Sequence, residues 1–174
     1  MRGIIMLLPV LIWTFICAIV GIFVRIFFRA DQTVFIIGHY CWSPIILGLF
    51  GIKINVSGID NIPSTPSIFV ANHASQLDIP IVSYAIPRGL FFVAKKELSK
   101  IPVFSTVVSK LAIWVDRSNP ESRHESMGKL VSLLNQGISV VVSPEGTRNN
   151  TDQILLPFQK GAFRLAIETQ TPIM

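Results

Sequence analysis

Charge is scarce in this chain. Only 14% of its 174 residues are Asp, Glu, Lys or Arg, against about 25% in a soluble domain. With 51% apolar residues, that deficit places part of the chain in lipid. Cysteine is scarce too: Cys17 and Cys41 both lie in apolar stretches and neither has a CxxC partner, so a disulfide framework is excluded. His39, His73 and His124 are far apart and no HExxH occurs, which argues against a metal site. No run of Lys and Arg and no zinc-finger spacing is present, so nucleic acid is not favoured. No GxSxG surrounds a serine, so the chain offers no obvious nucleophile of its own. What remains is a net charge of +5, suited to an anionic partner such as a membrane surface or a phosphorylated substrate.

Two parts are expected: a membrane-associated helical segment over 1–55 and an α/β domain over 56–174. Residues 3–24 are 22 uncharged positions between Arg2 and Arg25, long enough to cross about 30 Å of hydrocarbon. A signal peptide would have a shorter apolar core and a small-residue cleavage site, so a retained anchor is the expectation. A second uncharged stretch, 32–52, is interrupted by His39, Pro44, Gly48 and Gly51. It is open to spanning, re-entrant or interfacial placement, with Tyr40 and Trp42 at headgroup level. Arg25, Arg29 and Lys53 do not fix an orientation. The junction "VSGIDNIPSTPS", 56–67, is rich in Gly, Pro, Ser and Asn.

From Ser67 onward, apolar runs at 68–71, 90–94, 111–115 and 138–143 are unbroken rather than alternating. Such runs indicate strands buried on both faces. Between them lie helical pieces. The clearest is 120–136, with Asn119 as N-cap, Pro120 at N1, a stripe of Met127, Leu130, Val131 and Leu134, and Gly137 just past the end. The expected fold is α/β, a largely parallel sheet flanked by helices, preceded by the helical membrane element.

Each strand is followed by polar residues: Asn72-His73 and then Asp78; Lys95-Lys96-Glu97; Asp116-Arg117; Pro144-Glu145-Gly146-Thr147-Arg148. In a parallel sheet all these loops leave one edge, where open α/β sheets bind ligands. His73 is a candidate general base, and Asp78 a candidate carboxylate to orient its ring. Arg148, Arg117 and Lys95 bring positive charge to the same edge, and Gly146 and Thr147 let the backbone approach an anion. With a base and no nucleophile, the substrate is expected to supply the hydroxyl. Singly, each group has a plain alternative: a first-turn helix carboxylate for Asp78, a solvated helix start at "KKEL", a surface ion pair at Asp116-Arg117, turn chemistry at Glu145. Their recurrence at four strand ends favours a site.

The blocks "NHASQLD", "AKKELSKIPVFS", "LAIWVDR" and "PEGTRN", followed by "LLPFQKGAFRLA", resemble in order and spacing those of the 1-acyl-sn-glycerol-3-phosphate acyltransferases, over residues 60–174. The resemblance implies transfer of a fatty acyl group from acyl-CoA or acyl-carrier protein to the sn-2 hydroxyl of lysophosphatidic acid, giving phosphatidic acid. It implies His73 as base and Asp78 as its partner. Arg148, Gly146 and Thr147 would hold the phosphate with Lys95, and Glu145 and Arg117 would shape the acceptor pocket. It implies no metal or prosthetic group, and a bacterial inner or endoplasmic-reticulum membrane with the site facing the cytoplasm. Another glycerolipid acceptor, or a truncated lipid-binding member without activity, are the alternatives. The family pattern continues past "TPIM", so C-terminal strands are expected to be missing here. Ala112, where the family often has Gly, is a smaller departure.

Overall fold

The computed structural model describes residues 2–28, 33–100, 105, 108, 109 and 111–174. Arg29 and the "IPVF" of the second block, 101–104, lie outside the described residues. The chain divides into two units: residues 1–59 with 76–89, and residues 60–75 with 90–174. The expected single boundary at 55/56 is thus replaced by an interleaved division. Residues 76–89, assigned from the sequence to the α/β domain, group with the N-terminal segment.

The first unit is helical. α1 (Arg2–Phe28) is followed by α2 (Thr33–Ile37), a π-helical turn (Gly38–Trp42) and α3 (Ser43–Leu49). The π turn ends two residues before Pro44, whose missing N–H and bulky ring interrupt the regular ladder. Ser43 is fully buried and its hydroxyl donates to the Gly38 carbonyl at 2.7 Å. α1 meets this second stretch through a stripe at i, i+4, i+7. Thr14 accepts from Trp42 Nε1 at 2.9 Å, Ala18 is buried, and Gly21 lies where an added Cβ would sit 3.8 Å from Val34 Cγ2. Small residues there let the helices approach closely. Trp42 is therefore turned onto α1, while Tyr40 remains exposed. α4 (Asp78–Ala85) packs on the π turn. His39 Nδ1 lies 2.8 Å from the Ser83 carbonyl, and the His39 ring stacks on Tyr84.

Leu8, Leu11, Phe15, Ile19, Phe23, Ile26 and Phe27 of α1 are all exposed. Its uninterrupted run with described side chains is 8–24, about 26 Å at about 1.5 Å per residue. Among the described residues no helix is long and apolar enough to cross a membrane.

The second unit is the α/β layer. β1 (Ile68–Val70), β2 (Leu90–Lys95), β3 (Ala112–Val115) and β4 (Ser139–Val142) form a parallel sheet in the order β1-β4-β2-β3. The four strands fall within the four apolar runs or one residue beyond. α5 (Pro120–Asn135) begins where Asn119 Oδ1 accepts from the Glu121 N–H at 2.9 Å and the Ser122 N–H at 3.3 Å. It ends before Gly137, whose φ is +84°. α6 (Gly161–Thr169) lies beside it. The core joins Ile68, Val140 and Ile113 of the sheet to Leu130 and Leu134 of α5 and Leu165 of α6. Each such side chain contributes about 1.5–3 kcal/mol by leaving water. Beyond β1, Ile173 bridges Ile68 in parallel, with Ile68 N–H donating to the Pro172 carbonyl at 2.9 Å. β1 is therefore bonded on both sides.

Candidate active site

The strand order decides which loops meet. β1 neighbours β4, so the loop carrying His73 lies beside the loop carrying Glu145 to Arg148. Two hydrogen bonds lock them together. The His73 N–H donates to Glu145 Oε1 at 2.9 Å, and the Asn149 N–H donates to the His73 carbonyl at 2.7 Å. Both backbone groups of His73 are thus held by the later loop.

Glu145 is the strut of this arrangement. It is 3% exposed, and burying a carboxylate is expensive unless it is hydrogen-bonded. Its second oxygen, Oε2, accepts from the Leu156 N–H at 3.1 Å. One buried side chain therefore ties the β1 loop, the β4 loop and the descending segment before α6. The Gln159 N–H, donating to the Pro144 carbonyl at 2.7 Å, closes the same segment.

Gly146 sits at φ +70°, in a turn closed by its N–H donating to the Ser143 carbonyl at 3.1 Å. Side chains disfavour that conformation, and an added Cβ would lie 3.2 Å from Gln159 Cγ. Arg117 reaches the same turn from β3. Two strand spacings, roughly 10 Å, separate β3 from β4, and the Arg117 side chain bridges them, Nη1 donating to the Gly146 carbonyl. Burial pushes the guanidinium pKa below its ordinary value, and the charge of Glu97 opposes that shift.

Asp116, beside Arg117, makes a local turn instead. Its Oδ1 accepts from the Ser118 hydroxyl at 2.6 Å and the Ser118 N–H at 3.0 Å. These bonds, the hydroxyl's first, hold its carboxyl below the usual range. Lys95, the last residue of β2, has Nζ 3.3 Å from Glu97 Oε1, with both side chains largely exposed. Thr147 is exposed and Arg148 half-buried on the β4 loop. Asp78 opens α4 in the other unit, where a first-turn carboxylate is favoured by the helix dipole.

Hydrogen bonds thus join His73, Glu145, Gly146 and Arg117, and Thr147 and Arg148 continue the same loop. Lys95 is engaged by its own neighbour, Glu97. Sequence reasoning missed Asn149 as a clamp and Glu145 as a strut. The available signal was an acid between Pro and Gly directly after a strand buried on both faces. Among the described residues no three His, Cys, Asp or Glu side chains cluster as metal ligands would.

A family model described as Acyltransferase matches residues 53–174. The chain is 34% identical over 139 residues to a 1-acyl-sn-glycerol-3-phosphate acyltransferase of Cocos nucifera, a match covering 79% of this chain and 44% of that protein. It is 32% identical over 166 residues to the 1-acyl-sn-glycerol-3-phosphate acyltransferase of Haemophilus influenzae, covering 91% and 66%. Among solved structures it is similar to the 1-acyl-sn-glycerophosphate (LPA) acyltransferase PlsC from Thermotoga maritima, with a TM-score of 0.78 and 27% identity, covering 99% of this chain and 73% of that one. The chain spans about half the length of the first curated relatives it matches.

Proposed function

The chain belongs to the acyltransferase family, and from that premise we propose that it moves a fatty acyl group from a thioester to the sn-2 hydroxyl of lysophosphatidic acid, forming phosphatidic acid. The observation that carries the proposal is the double clamp of His73 to the Glu145–Arg148 loop. It fastens the His73 backbone to a loop with a cation and a tight glycine turn, which supports a site for a substrate bearing both a hydroxyl and a phosphate. The relatives named for this reaction support the acceptor.

In this reading His73 takes the proton of the acceptor hydroxyl as its oxygen attacks the thioester carbonyl. The C–S bond then breaks, and the departing thiolate takes up the proton from the imidazolium. Arg148 receives the phosphate, with the Gly146-Thr147 backbone and Lys95 beside it. Arg117 and Glu145 act by holding the loop. The donor is acyl-CoA or acyl-carrier protein, and no metal or prosthetic group takes part because a thioester is already activated. The exposed apolar surface of α1 attaches the protein to a membrane, with the site on the cytoplasmic side.

The test is thiol release from acyl-CoA, or from acyl-carrier protein, by purified protein in detergent with lysophosphatidic acid. His73→Ala should cost at least about 10²–10⁴ in kcat. Arg148→Ala should chiefly raise KM for lysophosphatidic acid. A His73→Ala protein with the wild-type rate refutes the base assignment, and a panel of other lysolipids and glycerol 3-phosphate ranks the acceptor.

A further inference from the structure

The carbonyl of His73 is held by the Asn149 N–H at 2.7 Å. Residues 150–153, which follow, are exposed and lie in no strand or helix, so neither a ladder nor core packing aims that N–H. What shapes the turn is the Asn149 side chain itself. Its Oδ1 accepts from the Thr151 N–H at 2.9 Å and from the Thr151 hydroxyl at 2.7 Å. Its Nδ2 donates to the Gln153 carbonyl at 2.7 Å. The Gln153 N–H then closes on the Thr151 hydroxyl at 3.3 Å, a hydroxyl that Asn149 already holds. These partners dictate which way the amide faces. A backbone N–H only donates and a carbonyl only accepts, so the oxygen meets Thr151 and the nitrogen meets Gln153.

An asparagine that bonds the backbone two residues on makes a turn of its own. Here the residue that makes the turn is also the one whose N–H reaches His73. The far side of the segment is tied as well. The Leu156 N–H donates to Glu145 Oε2 at 3.1 Å, and Glu145 Oε1 accepts from the His73 N–H at 2.9 Å. Residues 149–156 therefore brace His73 from both ends, once directly and once through Glu145. A surface turn with only a local duty would be fastened to its own neighbours. This one is fastened to the candidate base after β1.

We propose that Asn149 is a positioning residue for acyl transfer: its side-chain amide sets the turn that aims its own N–H at the His73 carbonyl, and so fixes the backbone from which the imidazole works. The proposal rests on the reading of His73 as the base, whereas the turn and its clamp do not. Its effect falls on turnover. Misplacing a reacting group by about 1 Å costs roughly a hundred-fold in rate, and no atom of Asn149 is called on to hold substrate.

Thiol release with lysophosphatidic acid should be followed for wild type, Asn149→Ala, Asn149→Gln, Asn149→Asp and Asn150→Ala, well below every melting midpoint. On the same proteins in detergent, exchange of the residue-149 amide hydrogen with deuterium should be read by NMR. Asn149→Ala removes all the side-chain bonds of the turn and is expected to lower kcat about ten- to hundred-fold, with both KM values within about three-fold. Asn149→Gln keeps the amide but sets it one methylene too far for the turn, and should fall with it. Asn149→Asp keeps an oxygen that accepts from Thr151 and should recover most of the rate. Asn150→Ala, exposed on the same turn, should match the wild type. The residue-149 amide should exchange slowly in wild type and Asn149→Asp, and about ten-fold faster or more in Asn149→Ala. An unchanged kcat in folded Asn149→Ala, a change confined to KM, no recovery in Asn149→Asp, an equal loss in Asn150→Ala, or equal exchange in wild type and Asn149→Ala overturns the proposal. If the wild type releases no thiol while the exchange contrast stands, the acyl-transfer reading has failed and the clamp has not. Should Asn149→Ala not fold, Asn149→Gln carries the same comparison.

Discussion

Replacing Glu145 separates architecture from chemistry. Its two oxygens accept from the N–H groups of His73 and Leu156, and the residue is 3% exposed. A hydrogen bond to a charged group contributes about 1.5–3 kcal/mol net. Glu145→Ala removes two, costing about 3–6 kcal/mol, a large share of the roughly 5–15 kcal/mol that holds a domain folded. Glu145→Gln keeps one acceptor oxygen but turns an amide nitrogen toward a backbone N–H, so it loses one bond, about 1.5–3 kcal/mol. For a chain of this size each kcal/mol lowers Tm by about 2–4 °C. The glutamine variant should then melt about 3–12 °C early and the alanine variant about 6–24 °C early, by circular dichroism. Acyl transfer assayed well below both midpoints should also fall, because the His73 backbone is no longer fixed to the β4 loop. Variants that melt with the wild type, or a folded glutamine variant with full kcat, would refute the strut.

Gly146→Ala forces a Cβ onto a residue at φ +70° and to 3.2 Å from Gln159. It should cost about 1–2 kcal/mol and lower activity more than stability, as activity and melting measured together will show. Asn119→Ala removes the cap of α5 and should cost about 1 kcal/mol in urea unfolding, with kcat unaltered. The folded-state pKa of Asp116 is depressed below its ordinary 3.8, so its contribution to stability is present above that value and disappears as pH falls through the folded pKa. The Tm gap between wild type and Asp116→Asn should be open at pH 7 and narrow as pH falls below 3.8; a constant gap contradicts the assignment.

The strands and α5 were legible because their signals are local. An unbroken apolar run at 138–143 or an Asn-Pro start at 119–120 specifies an element without reference to the rest of the chain. The meeting of loops was half legible. Parallel strands imply a common edge, but the spatial order β1-β4-β2-β3 is a matter of long-range packing. That order explains why His73 is joined to Glu145 rather than to the loop after β2. The role of Glu145 was not legible, since a turn acid and a buried strut carry the same letters. The exposed pair of Lys95 with Glu97, two residues on, was not legible either, since the same letters read as a solvated helix start. Residues 76–89 continue the α/β domain in sequence but pack with helices formed before residue 50, which apolar patterning alone does not reveal. The described helices also fall short of the crossing expected of residues 3–24. The π turn at Gly38–Trp42 had its cue in Pro44 alone.

The pairing of β1 with β4 has a temporal side. Ile68 waits for Val140, 72 positions later, and a ribosome adding about 5–20 residues per second needs roughly 4–14 seconds to deliver it. During synthesis the histidine loop emerges early, without the acid that will fasten it. A nascent chain therefore exposes one half of its working centre well before the other, and completes it only when β4 inserts between two older strands.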